Sequence, residues 1–186
     1  MTGILAGIGI GVAWLGGSIL VLSDARRGLS VGLLLATLGL ALAVTVEAGV
    51  ADGALLAGGG LLAAGASLRL NPRRGWGLLQ GPSTPRVVLC VVMGGAGLWL
   101  GLGIVNAPGQ AEARAAATVL IALGAGRLFA ERQARPALAA VSLVALGGGA
   151  LAAMSSGTPA GALVGAVAAV ALNLLPTPAE EGLEGG

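Results

Sequence analysis

The chain has no histidine, no lysine and no tyrosine, and Cys90 is its single cysteine. Each absence removes a class of chemistry. Without histidine there is no Ser-His-Asp triad, no H-E-x-x-H zinc site and no histidine haem ligand. Without lysine there is neither a P-loop nor a retinal Schiff base. One cysteine forms no intramolecular disulfide and holds no iron–sulfur cluster, and Cys90, inside an apolar run, reads as a small buried hydrophobe. Aromatics are almost missing, with three Trp and one Phe. Charge is scarce as well: 10% of residues are charged, where soluble domains carry about 25%. The net charge is +2, yet the arginines are scattered and not interleaved with aromatics, which argues against nucleic acid. No catalytic constellation, cofactor or metal site is legible, and the expectation is a protein that is not an enzyme. A G-x-G-x-G run at Gly7, Gly9 and Gly11 lies inside an apolar stretch rather than after a strand, so it carries no weight as a nucleotide site.

What the chain has is apolar surface. Hydrophobic residues make up 56%, 35 glycines come on top of that, and the mean hydropathy is +0.95. Such a chain cannot cover itself with polar groups, so the bilayer has to act as its solvent. The pattern predicts an all-α, polytopic transmembrane helix bundle of about seven spans, at roughly 2–22, 29–47, 53–70, 87–105, 115–130, 137–154 and 160–175. The fifth is the shortest and would rely on the flanking Arg114 and Arg127 reaching the headgroups. The first run is apolar from its start, and Asp24, Arg26 and Arg27 follow it. A signal peptide has the opposite layout, so this segment is expected to stay as a span. Residues 1–175 are read as one transmembrane domain, and 176–186, with Glu180, Glu181 and Glu184, as a short acidic cytoplasmic tail.

The arginines set an orientation. Nine of the ten sit in or beside alternate connections: Arg26 and Arg27; then Arg69, Arg73, Arg74 and Arg86; then Arg127, Arg132 and Arg135. The other connections hold Glu47, Asp52, Glu112 and Arg114. The positive-inside rule makes the basic set cytoplasmic, which puts the N-terminus outside and the C-terminus inside the cell membrane. The 69–86 connection carries Trp76 and three prolines among its arginines. It reads as an interfacial segment, with Arg26, Arg27, Arg69, Arg73, Arg74 and Trp76 as anchors on the cytoplasmic side. Arg127, Glu131 and Arg135, each four residues apart, would form one charge ladder at the end of the fifth span.

Two further patterns concern packing. Trp14-Leu15-Gly16 matches Trp99-Leu100-Gly101, Leu38-Gly39 falls opposite Leu123-Gly124, and Gly58-Gly59-Gly60 matches Gly147-Gly148-Gly149 at nearly constant offset. Spans one to three would then map onto four to six as a 3+3 inverted repeat with one extra helix, a carrier-like design. Small residues four apart let helices approach closely. Gly3, Gly7 and Gly11 form one such stripe, Gly97 and Gly101 a pair, and Gly157, Gly161 and Gly165 another stripe.

Intramembrane acids would mark an ion path, and none lies mid-span. Glu47 sits near the outer boundary, where it either pairs with Arg114 or joins Asp52 and Glu112 in a cation-attracting outer cluster. Two functions follow. The first is a non-catalytic accessory or scaffold subunit, with the lipid bilayer and other membrane subunits, or further copies of itself, as partners. The second is a small carrier or channel built on the inverted repeat. An enzyme acting on lipid is disfavoured by the lack of a base or metal set. The charge asymmetry makes a direct prediction: a reporter fused after Gly186 should report from the cytoplasm and a tag before Thr2 from outside. Both ends on one side would mean that a span is miscounted.

Overall fold

The computed structural model describes residues 2–70, 83–103, 110–131 and 133–175. They form seven helices: α1 (Thr2–Leu22), α2 (Arg26–Glu47), α3 (Val50–Leu70), α4 (Ser83–Gly103), α5 (Ala111–Ala130), α6 (Ala134–Ser156) and α7 (Ala160–Leu174). Six of these are long and apolar enough to cross a membrane, and α7 is a shorter apolar helix. The chain is therefore a multi-pass helical membrane bundle. Arg73, Arg74, Trp76 and Arg132, together with the tail from 176 onward, lie outside the described residues.

Turn chemistry sets the helix ends. Gly49 takes a φ of +130° between α2 and α3, and Gly157 takes +65° after α6. Gly157 closes its helix with an N–H bond to the Ala153 carbonyl at 2.9 Å, a left-handed cap that a residue with a Cβ fills poorly. Pro85 and Pro136 fall in the first turns of α4 and α6, where no intrahelical N–H bond is lost. The fifth span is not the shortest. The Ala-Glu-Ala-Arg stretch at its start is helical and brings α5 to 20 residues, as expected for strong helix formers with an acid in the first turn. The shortest is α7, with 15 residues, or roughly 22 Å at 1.5 Å per residue. The charge ladder expected from Arg127 to Arg135 is interrupted, because α5 ends at Ala130 and Arg135 belongs to α6.

Helices α2 and α5 occupy the centre. Both pack on α1 and on α6, and they touch each other. α3 packs on α2 and α7, and α7 on α6, so α7 bridges α3 and α6. α4 is peripheral: it packs mainly on α5, and the buried share of its span is 22% against 61% for α2. The contacts do not follow an exchange of two triplets. α1 packs on α5, whereas the exchanged pair, α4 and α2, makes no contact. Trp14 lies over Gly94 in the α1–α4 contact, while Trp99 is 74% exposed. The two triple-glycine runs do share a neighbour, since Gly59 faces Ala166 and Gly149 faces Gly165, both on α7.

The closest helix contact is α1 on α2. A carbon added as Cβ at Gly32 would stand 2.6 Å from Leu20 N, and one at Gly9 2.8 Å from the Gly39 carbonyl. Gly16 and Gly39 are blocked in the same way by the Ala36 and Ala13 backbones. Gly9 and Gly16 are seven apart, as are Gly32 and Gly39, so each pair recurs on one face after two turns. The two helices meet backbone to backbone, as association in lipid favours. The stripe expected at Gly3, Gly7 and Gly11 is not this face: Gly7 and Gly11 look into open space, and Gly3 lies near only the Glu112 carboxylate. Elsewhere Gly97 and Gly101 face Val119, Thr118 and Ala115 of α5, and Gly161 and Gly165 face Ala153 and Gly149 of α6. Gly157 serves as the cap instead.

These distances predict a graded response. Gly32→Leu and Gly161→Leu should each cost about 3 kcal/mol or more by forcing backbones apart. Gly7→Leu, entering open space, should stay within about 0.5 kcal/mol. Thermal unfolding in mild detergent reads the difference, and equal tolerance at all three positions would remove close backbone approach as the basis of the bundle.

Candidate functional site

Because successive helices run antiparallel, the charges collect at two ends. At the basic end, Arg127 in the last turn of α5 is 2% exposed. A buried guanidinium must have its donors satisfied by the protein, and the end of α1 supplies the acceptors. Arg127 Nη1 donates to the Leu20 carbonyl at 3.1 Å and to the Val21 carbonyl, and Nη2 donates to the Ser23 carbonyl at 2.9 Å. The last carbonyls of a helix have no intrahelical partner and carry the negative end of its dipole. Arg127 therefore caps α1 from a neighbouring helix.

Two carboxylates complete the arrangement. Asp24 Oδ1 accepts from Arg127 Nη2 at 2.7 Å, and Asp24 Oδ2 accepts from Arg86 Nη1 of α4 at 2.5 Å. Glu131 pairs with Arg127 at 2.8 Å. Two cations and two anions thus neutralise one another where α1, α4 and α5 meet. A cavity of about 80 Å³ lies beside them, walled by Leu89, Pro85 and Val21. Arg135 turns to α7, donating to the Asn173 carbonyl at 3.5 Å. Of the interface anchors, Arg27 and Arg69 are exposed and Arg26 is half-buried.

At the acidic end, the structure brings Glu47 and Glu112 together. Glu47, the last residue of α2, accepts from the Ala113 N–H at 2.8 Å. That N–H is one of the unpaired donors in the first turn of α5, so the carboxylate acts as its cap. The Glu112 carboxyl lies beside the Glu47 carboxyl. Asp52 stands in the first turn of α3, where an acid complements the helix dipole. Arg114 does not pair with Glu47: its guanidinium bonds Gln110 Oε1 at 3.1 Å, one turn back. Among the described residues no group of three potential ligands could hold a metal ion.

Other polar side chains bond to helix backbone or to one another. Thr37 donates to the Leu33 carbonyl. Thr118 donates to the Gly97 carbonyl across α4 and α5 at 2.8 Å. Asn173 donates to Ser142 Oγ at 2.7 Å and to the Ala169 carbonyl at 2.9 Å, joining α7 to α6.

The residue that sequence reasoning undervalued is Asp24. Its signal was present: an acid among the arginines of a basic connection, with Arg127 inside an apolar helix and in need of a partner. The chain matches no family model, and no curated protein or solved structure matches it either.

The network carries its own test. Arg127→Ala would leave Asp24 and Glu131 buried without their shared cation and would remove the side-chain donor from three carbonyls, of which that of Leu20 keeps the Ser23 N–H. The expected loss is about 3–5 kcal/mol. Arg127→Lys should recover only part of it, because an ammonium cannot span the planar fork. An unchanged melting temperature for Arg127→Ala would show that this end of the bundle is held by other contacts.

Proposed function

We propose that the chain is a non-catalytic accessory or scaffold subunit of a larger membrane complex, embedded with its basic end in the cytoplasm, its N-terminus outside and its C-terminus inside. One observation carries this reading: the charged groups are confined to the two ends, and those buried there are spent on holding helices together. Arg127 caps α1, Asp24 bridges α4 and α5, and Glu47 caps α5. No Asp, Glu or Arg occupies the middle of any span. A carrier for a charged solute needs such a group, because an unpaired charge in hydrocarbon is costly.

The peripheral helix supports the same reading. Val88, Val91, Val92 and Trp99 of α4 are all more than half exposed. A face that α4 does not turn to its own bundle is available to a neighbouring subunit.

Purification in mild detergent followed by mass spectrometry tests the proposal. Stoichiometric co-purifying membrane proteins are the expected result. In reconstituted vesicles the purified chain alone should move neither protons nor small cations above background. Glu47→Gln should leave folding intact, since an amide oxygen still accepts from Ala113. Proton or cation flux through the wild-type protein that Glu47→Gln abolishes would overturn the subunit reading and establish a carrier.

A further inference from the structure

The flank of α3 carries features that the subunit reading does not use. Two grooves of similar size run along it at the basic end. One, of about 550 Å³, lies between α2 and α3 and includes Arg27, Leu34 and Leu68. The other, of about 520 Å³, lies between α3 and α7 and includes Arg69, Ala66 and Val170. Leu61 and Gly65 line both, so the two hollows meet across α3. A Cβ at Gly65 would have nothing within 4 Å, and the same holds at Gly58. The ridge between the two grooves thus carries the open Gly65 beside the exposed Leu61. The second groove continues into a third hollow of about 470 Å³ that shares Leu62, Val170 and Leu174 with it and reaches Ala54 and Leu163.

We infer that this flank binds one anionic phospholipid of the bilayer, its phosphate between Arg27 and Arg69 and its two acyl chains in the two grooves. Three properties fit that occupant. The first is charge. Each groove has one exposed arginine in its wall, and among the described residues no carboxylate lines either. The acids described at this end, Asp24 and Glu131, are already engaged by Arg86 and Arg127. The ligand has to bring the negative charge, and a guanidinium suits phosphate geometry. The second is length. From Arg69 to Ala54 the groove follows α3 for roughly 22 Å at 1.5 Å per residue, which exceeds half of a ~30 Å hydrocarbon core. One leaflet's acyl chain fits along it. The third is shape: two apolar troughs joined at one charged end match a molecule with two tails and one anionic head. A partner helix has one rod to offer and would leave the second groove open. The inference rests on membrane embedding and not on the subunit role.

Native mass spectrometry of the full chain, released from detergent with phosphatidylglycerol and phosphatidylcholine of identical acyl chains at equal concentration, tests it. One phosphatidylglycerol per chain should be retained at least ten-fold over phosphatidylcholine. The double variant Arg27→Ala with Arg69→Ala should bring phosphatidylglycerol down to the phosphatidylcholine level. Gly65→Leu, whose side chain enters the hollow and no packed atom, should lower retention at least five-fold with its lipid-free melting temperature unchanged. That variant keeps the test decisive if the double arginine variant does not fold. Equal retention of both lipids by the wild type would overturn the inference, as would selectivity surviving loss of both arginines. A dimer of the chain that Gly65→Leu breaks would also overturn it, assigning the groove to a second copy.

Discussion

A guanidinium in an apolar helix has to find its partners inside the protein, and the two terminal nitrogens of Arg127 find five, while its Nε has none among the described residues. Three are carbonyls at the end of α1, and two are the carboxylates of Asp24 and Glu131. The position of α1 against α5 follows from those bonds. The place of α4 follows too, because Asp24 uses its second oxygen on Arg86. Asp24 also stands two residues before α2 begins, so the same acid fixes where the chain turns back. In lipid there is no hydrophobic force pressing helix on helix. A tie of this kind at one end, matched by the Glu47 cap on α5 at the other, sets the register that the apolar middle then fills.

How that middle is filled shows where the sequence is legible and where it is not. Span number, helical character and the segregation of charge can be read from hydropathy and arginine placement, because every backbone group in hydrocarbon must bond within its own helix. The contact faces cannot be read. In a chain with 35 glycines, four-residue spacings arise on faces that meet nothing, as at Gly7 and Gly11. The working contact between α1 and α2 uses a seven-residue recurrence with alanine between, in Gly9, Ala13 and Gly16 against Gly32, Ala36 and Gly39. Such a pattern is recognisable only when both helices are known to face each other. The same limit applies to the apparent repeat: local words match between the halves, but the neighbours of Trp14 and Trp99 differ.

The charged sites follow a similar rule. Glu47 and Glu112 were visible as acids near one boundary, and their meeting depends on how far α5 extends. The helix begins at Ala111, which places the Ala113 N–H where Glu47 can accept it. Had α5 begun near residue 115, that donor and that partner would not exist. Arg127 and Glu131 were readable as a pair from their spacing. Arg135 was not separable from them, because the break after Ala130 lies in a stretch with no proline or glycine before Pro136.

Rigidity and openness are unevenly distributed, and that bears on what the protein does. Around α1–α2 and α6–α7 the backbones are so close that a single added carbon would collide. Sliding these helices past one another would forfeit many short contacts at once. The flank of α3 is the opposite, with open glycines and hollows of about 470–550 Å³ on both sides. Close backbone packing in one part of the bundle thus stands beside an apolar peripheral helix and open grooves in another, which is the arrangement that supports the proposed subunit role. Arg27 and Arg69 stand in the walls of those grooves, and no carboxylate lines them among the described residues.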